Sequence, residues 1–109
     1  MQFFNIIKIL LTGKRDRKAQ AEWRKAVMRR CAARSVLSGD TRKLEAHHLF
    51  NVASFPVFAG AAWNGVLLTD AEHTSYHKWA GVRYNTPFDF FLWWSFHKIT
   101  FGLFVRGAA

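Results

Sequence analysis

Residues 44–81 contain four of the five histidines in this chain of 109 residues. Two of them, His47 and His48, are adjacent, and the other two, His73 and His77, are four positions apart. Imidazole is the commonest metal ligand in proteins and its pKa lies near neutrality, so one such cluster can supply both metal ligands and a proton acceptor. The spacing therefore predicts a chemical site around which the chain must fold.

Short apolar runs and a helix-start motif predict how these histidines come together. Residues 43–49 and 65–68 have the length and composition of strands. Residues 69–72 (TDAE) form a capping box, in which the Thr hydroxyl and the Glu carboxylate satisfy free N–H groups at a helix start. A helix is therefore predicted over residues 70–80, and it places the last two histidines of the cluster on one face, where both can hold one ion.

Taken in order, the pattern His-His, Asn, His-x-x-x-His resembles the HNH nuclease motif, also called the ββα-metal fold. Asn64 follows His48 by sixteen positions and precedes His73 by nine. His77 follows four positions later, which is similar to the nuclease domains of the colicin toxins. The resemblance implies an α+β fold with a ββα-metal HNH core, flanked here by an N-terminal basic helix and a C-terminal aromatic helix.

The resemblance also implies a role for each residue of the pattern. His47, His73 and His77 would be the ligands of one divalent metal ion. His48 would be the general base that deprotonates the attacking water. Asn64 would hold the loop between the two strands by side-chain hydrogen bonds, so that the ring of the base is correctly oriented.

The ligand set bears on the choice of ion. Many relatives in the family have Asp at the position of His47, and an all-imidazole set suits zinc, nickel, cobalt or manganese better than magnesium, which prefers oxygen ligands. The expected cofactor is one divalent ion, Mg, Mn, Zn or Ni, with its identity left open.

The resemblance extends over residues 31–92. Residues 78–81 (KWAG) and 84–91 (YNTPFDFF) resemble the segment after the motif in small phage and intron-associated HNH enzymes, some of which are homing endonucleases. Glu45, two positions before the first histidine of the motif, resembles an acidic residue that steadies a phosphate-binding arginine in the colicin branch.

The basic charge of the chain lies before the motif. Residues 1–43 contain twelve Lys or Arg and three Asp or Glu, whereas residues 44–109 contain four of each, so the net charge of +9 comes from the first part. A polyanion is the natural partner, bound by counterion release and weakened by salt. Residues 14–34, rich in Ala, Arg and Lys, are predicted to form a helix that contacts phosphates, with an anionic membrane surface as the alternative. Double-stranded DNA is the expected partner, and the predicted contacts are Arg15, Lys18, Lys25, Arg29, Arg42 and Lys43.

Apolar residues at both ends of the chain predict further packing. Residues 1–12 are apolar but too short for a bilayer, which needs about twenty residues, and no stable membrane insertion is expected. Thr and Pro at the start of residues 86–105 predict a C-terminal helix. Nine of the residues 84–104 are aromatic, and the apolar side chains surround this helix. We therefore expect it to pack against the N-terminal segment and to form a homodimer, with His97 as a packing or surface residue outside the motif.

The length predicts one domain, made of the extension 1–34, the motif 43–81 and the helix 86–105. The single cysteine, Cys31, excludes an intrachain disulfide and a Cys-based zinc ribbon within one chain, and it fits a reducing compartment. The protein is expected to be located in the cytoplasm, which would be the cytoplasm of the host cell if a phage encodes the chain. The main prediction is an enzyme, a metal-dependent DNA endonuclease. The alternatives are a non-catalytic DNA-binding or architectural module and a membrane-associated toxin or effector.

Overall fold

The computed structural model describes the backbone of residues 16–81 and 86–108, with side chains up to residue 99. These residues form an α+β arrangement of three helices and a two-stranded antiparallel sheet. The helices are α1 (Arg17–Arg30), α2 (Asp70–Ala80) and α3 (Pro87–Ala108), and the strands are β1 (Leu44–His48) and β2 (Gly65–Thr69). The predicted order of strand, loop, strand and helix is confirmed.

The start of α2 is set by the predicted capping box. The Thr69 hydroxyl oxygen accepts a hydrogen bond from the backbone N–H of Glu72 at 3.2 Å, and the Glu72 carboxylate accepts one from the Thr69 N–H at 2.9 Å. The helix ends at Gly81, whose φ of 66° lies in the left-handed region that favours glycine. Both predicted ends of this helix are therefore confirmed.

The sheet lies between two apolar layers because successive side chains of a strand point to opposite faces. Leu67 faces α1, whereas Val66 and Leu68 face α2 and α3. The buried residues on the α1 side are Trp23, Val27 and Leu67, and those on the other side are Val66, Leu68, Tyr76, Ala80, Phe90 and Trp93. The two strands pair in a register that sets His48 opposite Gly65, at the end of the sheet.

The basic helix is shorter than the predicted span 14–34. Asp16 caps it by accepting a hydrogen bond from the Lys18 N–H at 2.8 Å, and residues 14 and 15 lie outside the described part of the chain. The predicted C-terminal end is wrong, since α1 stops at Arg30.

The early end of α1 has a tertiary cause. Ala32 and Ala33 have φ values of 54° and 53°, in the left-handed region that residues with a Cβ seldom adopt. The turn allows the Val36 N–H to donate to the Leu67 carbonyl oxygen of β2 at 2.9 Å, and the Ser35 hydroxyl to donate to the carboxylate of Glu72. These long-range hydrogen bonds outweigh the local helical preference of two alanines.

The C-terminal helix begins as predicted and extends to Ala108, three residues beyond the predicted end, since no proline interrupts it. Thr86 caps it, because its hydroxyl oxygen accepts from the Asp89 N–H at 3.3 Å. His97 packs on the Trp93 ring and its Nδ1 lies 3.0 Å from the Trp93 carbonyl oxygen, as expected for a packing histidine. The predicted contact with residues 1–12 lies outside the described residues. No helix in the described part of the chain is both long enough and apolar enough to cross a membrane.

Candidate metal centre and active-site cleft

Three histidine side chains from β1 and α2 meet at one end of the sheet. Nδ1 of His47 lies 3.2 Å from Nε2 of His73, and Nε2 of His77 lies 2.9 Å from the same atom. One ring nitrogen from each residue lies within 4.8 Å of the other two. The structure therefore brings together the three residues predicted as metal ligands.

Two of the three separations between these nitrogens fit one shared ion. Two nitrogens bound to one ion at about 2.0–2.1 Å are about 3.3 Å apart in a tetrahedral site and about 2.9 Å apart at adjacent octahedral positions. The observed separations of 3.2 and 2.9 Å match these values. Three imidazoles form a donor set suited to zinc, nickel or another transition ion.

The electrostatics of the cluster keep its buried member, His47, neutral. The side chain of His47 is only 4% exposed. Its burial, and then the neighbouring His73 and His77, lower the pKa of His47 to about 3. Burial, followed by the charge of His73, also lowers the pKa of His77. Neutral imidazole is the form that binds a metal, so the lowered pKa values of His47 and His77 favour binding of an ion near neutral pH.

His48 faces away from this cluster because it is the next residue of the same strand. It pairs with Gly65 on the α1 side of the sheet, whereas His47 pairs with Val66 on the α2 side. Nε2 of His48 lies 3.0 Å from the carbonyl oxygen of Ala59. A carbonyl oxygen only accepts hydrogen bonds, so this nitrogen carries the proton and the lone pair of the neutral ring lies on Nδ1. The strand thus places the predicted metal ligand and the predicted base on opposite faces of the sheet.

The side chain of Asn64 holds the loop that contacts His48. It is fully buried, and its Oδ1 accepts a hydrogen bond from the Phe50 N–H at 2.7 Å. Its Nδ2 donates to the carbonyl oxygens of Phe50 and Phe58, both at 3.1 Å. Because Phe58 directly precedes Ala59, these hydrogen bonds fix the position of the carbonyl group that contacts His48. The loop-holding hydrogen bonds predicted for Asn64 are present.

Helix α1 lines a cleft that also includes His48 and the three clustered histidines. The sequence did not indicate this position of α1. The indole of Trp23 stacks on the His48 ring, with centroids 3.7 Å apart and planes 3° from parallel. Arg24 and Gln20 also face the cleft, which has a volume of about 280 Å³. Its lining residues are Gln20, Trp23, Arg24, Ala46, His47, His48, Asn51, Val52, His73 and His77. The i, i+4 spacing of Gln20 and Arg24 beside the apolar face of α1 is the pattern that could have identified them.

The basic residues predicted to contact nucleic acid lie elsewhere on the surface. Lys18, Lys25 and Arg29 are exposed on the side of α1 opposite Val27, and none of them lines the cleft. Arg42 and Lys43, in the turn before β1, are exposed as well and lie outside the cleft lining. Arg15 lies outside the described residues.

Two further charged residues have structural contacts near the site. The guanidinium of Arg30 donates to the carbonyl oxygens of Ala62 and Gly65, so it ties α1 to the start of β2. A carboxylate oxygen of Glu45 lies 3.6 Å from Nδ1 of His73. Within the described residues Glu45 makes no ion pair with an arginine, although Arg24 lines the adjacent groove with it. The contact between Glu45 and His73 favours one orientation of the His73 ring, which is a predicted metal ligand.

No protein-family model matches the chain, and neither a curated protein nor a solved structure gives a significant match.

Proposed function

We propose that the chain is a metal-dependent endonuclease of the HNH type that hydrolyses phosphodiester bonds in DNA, with β1, β2 and α2 as its ββα-metal core. One observation carries this proposal. His47 joins a cluster of three imidazoles, while the adjacent His48 points away from it with its tautomer set by Ala59. The cleft thus combines a ligand set for a Lewis acid with a proton acceptor that stays off the ion.

In the proposed reaction, His48 accepts a proton at Nδ1 from the water molecule whose oxygen attacks the phosphorus. As the ring gains positive charge, its Nε2–H continues to donate to the Ala59 carbonyl, and such charge-assisted hydrogen bonds are stronger than neutral ones. His47, His73 and His77 would hold one divalent ion, whose charge would stabilise the phosphorane and the leaving oxygen.

The substrate class follows from charge. The net charge of +9 favours a polyanion. Arg24 is an exposed guanidinium in the cleft, without a hydrogen bond or ion pair among the described residues. Guanidinium groups match the geometry of phosphate oxygens, so Arg24 would hold the backbone of the nucleic acid beside the three histidines. Such an enzyme would act on double-stranded DNA in the cytoplasm of the cell that contains it.

The experiment is incubation of supercoiled plasmid with the protein after chelation, followed by addition of Mg²⁺, Mn²⁺, Zn²⁺ or Ni²⁺. We expect cleavage with at least one ion and none after chelation. His48→Ala should abolish cleavage while metal and DNA binding stay nearly intact, because it removes the base and no ligand.

A matched pair of variants separates the metal site from other histidines. His73→Ala should lower the metal affinity measured by calorimetry, whereas His97→Ala, outside the cluster, should not. If His48→Ala retained wild-type turnover, the assignment of the base would be wrong. If the protein binds DNA tightly but does not cleave it with any of these ions, the alternative of a non-catalytic DNA-binding module would be favoured.

A further inference from the structure

Two parallel rings connect α1 with the end of β1. The indole of Trp23 lies 3.7 Å from the His48 ring, centroid to centroid, and the planes differ by 3°. The same loop holds both rings at their edges. The carbonyl oxygen of Ala59 lies 3.0 Å from Nε2 of His48, and that of Ala61 accepts a hydrogen bond from Nε1 of Trp23 at 2.9 Å.

A single hydrogen bond does not define the plane of an imidazole. The contact between His48 and Ala59 restrains one edge of the ring, but this hydrogen bond does not by itself fix rotation about the Nε2 to oxygen direction. A flat indole in contact with one face removes this rotation, because tilting the ring would separate the two surfaces or make them clash. The direction of the lone pair on Nδ1 therefore depends on the stack as well as on the hydrogen bond.

The position of Trp23 is itself well determined. Its side chain is 5% exposed and belongs to the apolar layer formed with Val27 and Leu67. It lies so close to β2 that a Cβ added at Gly65 would be 2.7 Å from its Cζ2 atom. An indole held on three sides is a rigid support for the ring stacked on it.

We propose that Trp23 is a positioning residue for phosphodiester hydrolysis, which acts by fixing the ring plane of His48 so that Nδ1 is directed at the attacking water. This inference rests on the proposed function. Misplacement of a reacting group by about 1 Å can cost about 100-fold in rate. The face of the indole also attracts the positive charge that His48 gains when it takes up the proton.

The test compares three variants by steady-state cleavage kinetics with the ion that supports wild-type activity. Trp23→Leu keeps an apolar side chain but has no flat surface, and we expect kcat to fall by about 10- to 100-fold. KM and the metal affinity should change little, because neither depends on the orientation of His48. Trp23→Phe restores a flat ring without the Nε1 donor and should recover most of the lost turnover.

The matched control is Trp94→Leu. Trp94 also donates from Nε1 to a loop carbonyl, that of Val36 at 2.8 Å, but its ring lies against Phe91 and Lys98 and not against a histidine of the site. Circular dichroism and metal titration would establish that each variant is folded with an intact histidine cluster. Trp94→Leu should lower stability but leave kcat near that of the wild type.

Three outcomes would decide the matter. A selective loss of kcat in Trp23→Leu, with recovery in Trp23→Phe, supports the proposal. If the wild type cleaves DNA and folded Trp23→Leu keeps its kcat, or loses no more than Trp94→Leu does, the positioning role is wrong and the proposed nuclease function stands. If the wild type cleaves no nucleic acid with any ion, both fall together.

Discussion

The adjacent histidines His47 and His48 have different environments although they have the same side chain. Strand geometry directs one ring to the α2 layer and the next to the α1 layer. The first lies among His73, His77 and the apolar rings of the core, and the second lies against Trp23. Insertion or deletion of one residue before His47 would turn each ring to the opposite face of the sheet, so the proposed chemistry depends on the register of β1.

The burial of His47 predicts how the stability of the metal-free protein depends on pH. Burial holds the pKa of His47 at about 3, against 6.5 for an exposed ring. Between these pH values the unfolded chain binds a proton that the native state does not bind. The free energy of unfolding should therefore be fully retained above pH 6.5 and decrease as the pH falls toward 3, by at most about 1.4 kcal/mol per pH unit for this group.

Urea denaturation of the metal-free protein at pH 7, 6 and 5 measures this dependence. His47→Gln should make the free energy of unfolding less dependent on pH, because glutamine does not titrate. His97→Gln is the control, as it removes a histidine outside the cluster, and it should leave the dependence close to that of the wild type. Equal slopes for the wild type and His47→Gln would show that His47 is not a buried neutral group.

At the level of elements, the contact between α1 and β2 depends on Gly65. Its backbone is extended, with φ at −136°, so its importance lies in space and not in conformational freedom. A Cβ at this position would lie 2.4 Å from Cγ2 of Val27 and 2.7 Å from Cζ2 of Trp23, both buried. We expect Gly65→Ala to lower the free energy of unfolding by about 1–3 kcal/mol, as overpacking does.

Denaturation midpoints would test this expectation, with Val27→Ala as the partner mutation. Shortening Val27 creates room for the new methyl group, so the double variant should be more stable than the sum of the two single effects predicts. Strict additivity would indicate that the two residues are not in contact. Since Trp23 adjoins the same glycine, Gly65→Ala should also lower turnover if the stack on His48 matters.

The elements whose bounds are set by neighbouring residues were predicted well. Features that depend on residues distant in the sequence were not predicted. The capping box at Thr69 and the short apolar runs define β1, β2 and α2 by neighbouring residues. The end of α1 and its place in the cleft depend on contacts such as Trp23 with Ala61 and Arg30 with Gly65, which are 38 and 35 positions apart. The periodicity of the α1 sequence does not indicate these distant partners. The spacing of the histidines could therefore predict the cluster, but it could not predict that the indole of Trp23 stacks on His48.

Helix α1 also has a second, outward face that predicts salt-dependent binding of DNA. Lys18, Lys25 and Arg29 are exposed there, away from the cleft. Replacing these three residues and Arg15 with Gln should flatten the plot of log affinity against log salt concentration by up to about 3.6, because each phosphate contact contributes about 0.9 to the slope. Under the proposed function, cleavage by the bound protein should persist.

Fluorescence anisotropy with a labelled duplex at several salt concentrations measures this slope. Lys78→Gln with Lys98→Gln removes basic charge from α2 and α3 and serves as the control, for which we expect little change. An unchanged slope in the α1 variant would identify its basic residues as ordinary solvated surface and would leave Arg24 as the main phosphate contact.

At the scale of the whole molecule, α3 has two apolar faces and the described residues cover one of them. Phe90 and Trp93 are buried against Tyr76. The opposite side is an exposed apolar stripe along the helix, formed by Phe88, Phe91, Leu92, Phe96 and Ile99. Contiguous apolar surface of this kind commonly marks an interaction site.

We expect the stripe to pair with its own copy about a two-fold axis. Each phenylalanine buries about 150–250 Å² when covered, so the stripe can supply much of the roughly 800 Å² that each partner contributes to a stable interface. A symmetric pair would also contain two clefts, which is the simplest way for an enzyme with one metal site per chain to cut both strands of a duplex. A monomer of the same enzyme would nick.

Light scattering at micromolar concentration would measure the mass. We expect about twice the 12.6 kDa of one chain, and a shift toward the monomer for Phe91→Glu combined with Phe96→Glu, because a buried unpaired charge opposes association. Trp79→Glu is the matched control, since Trp79 is an exposed aromatic residue on α2 and outside the stripe. A wild-type mass near that of one chain would mean that the stripe is covered within the chain. The inference of two-strand cleavage would then fall, and plasmid assays should show nicked circles without linear product.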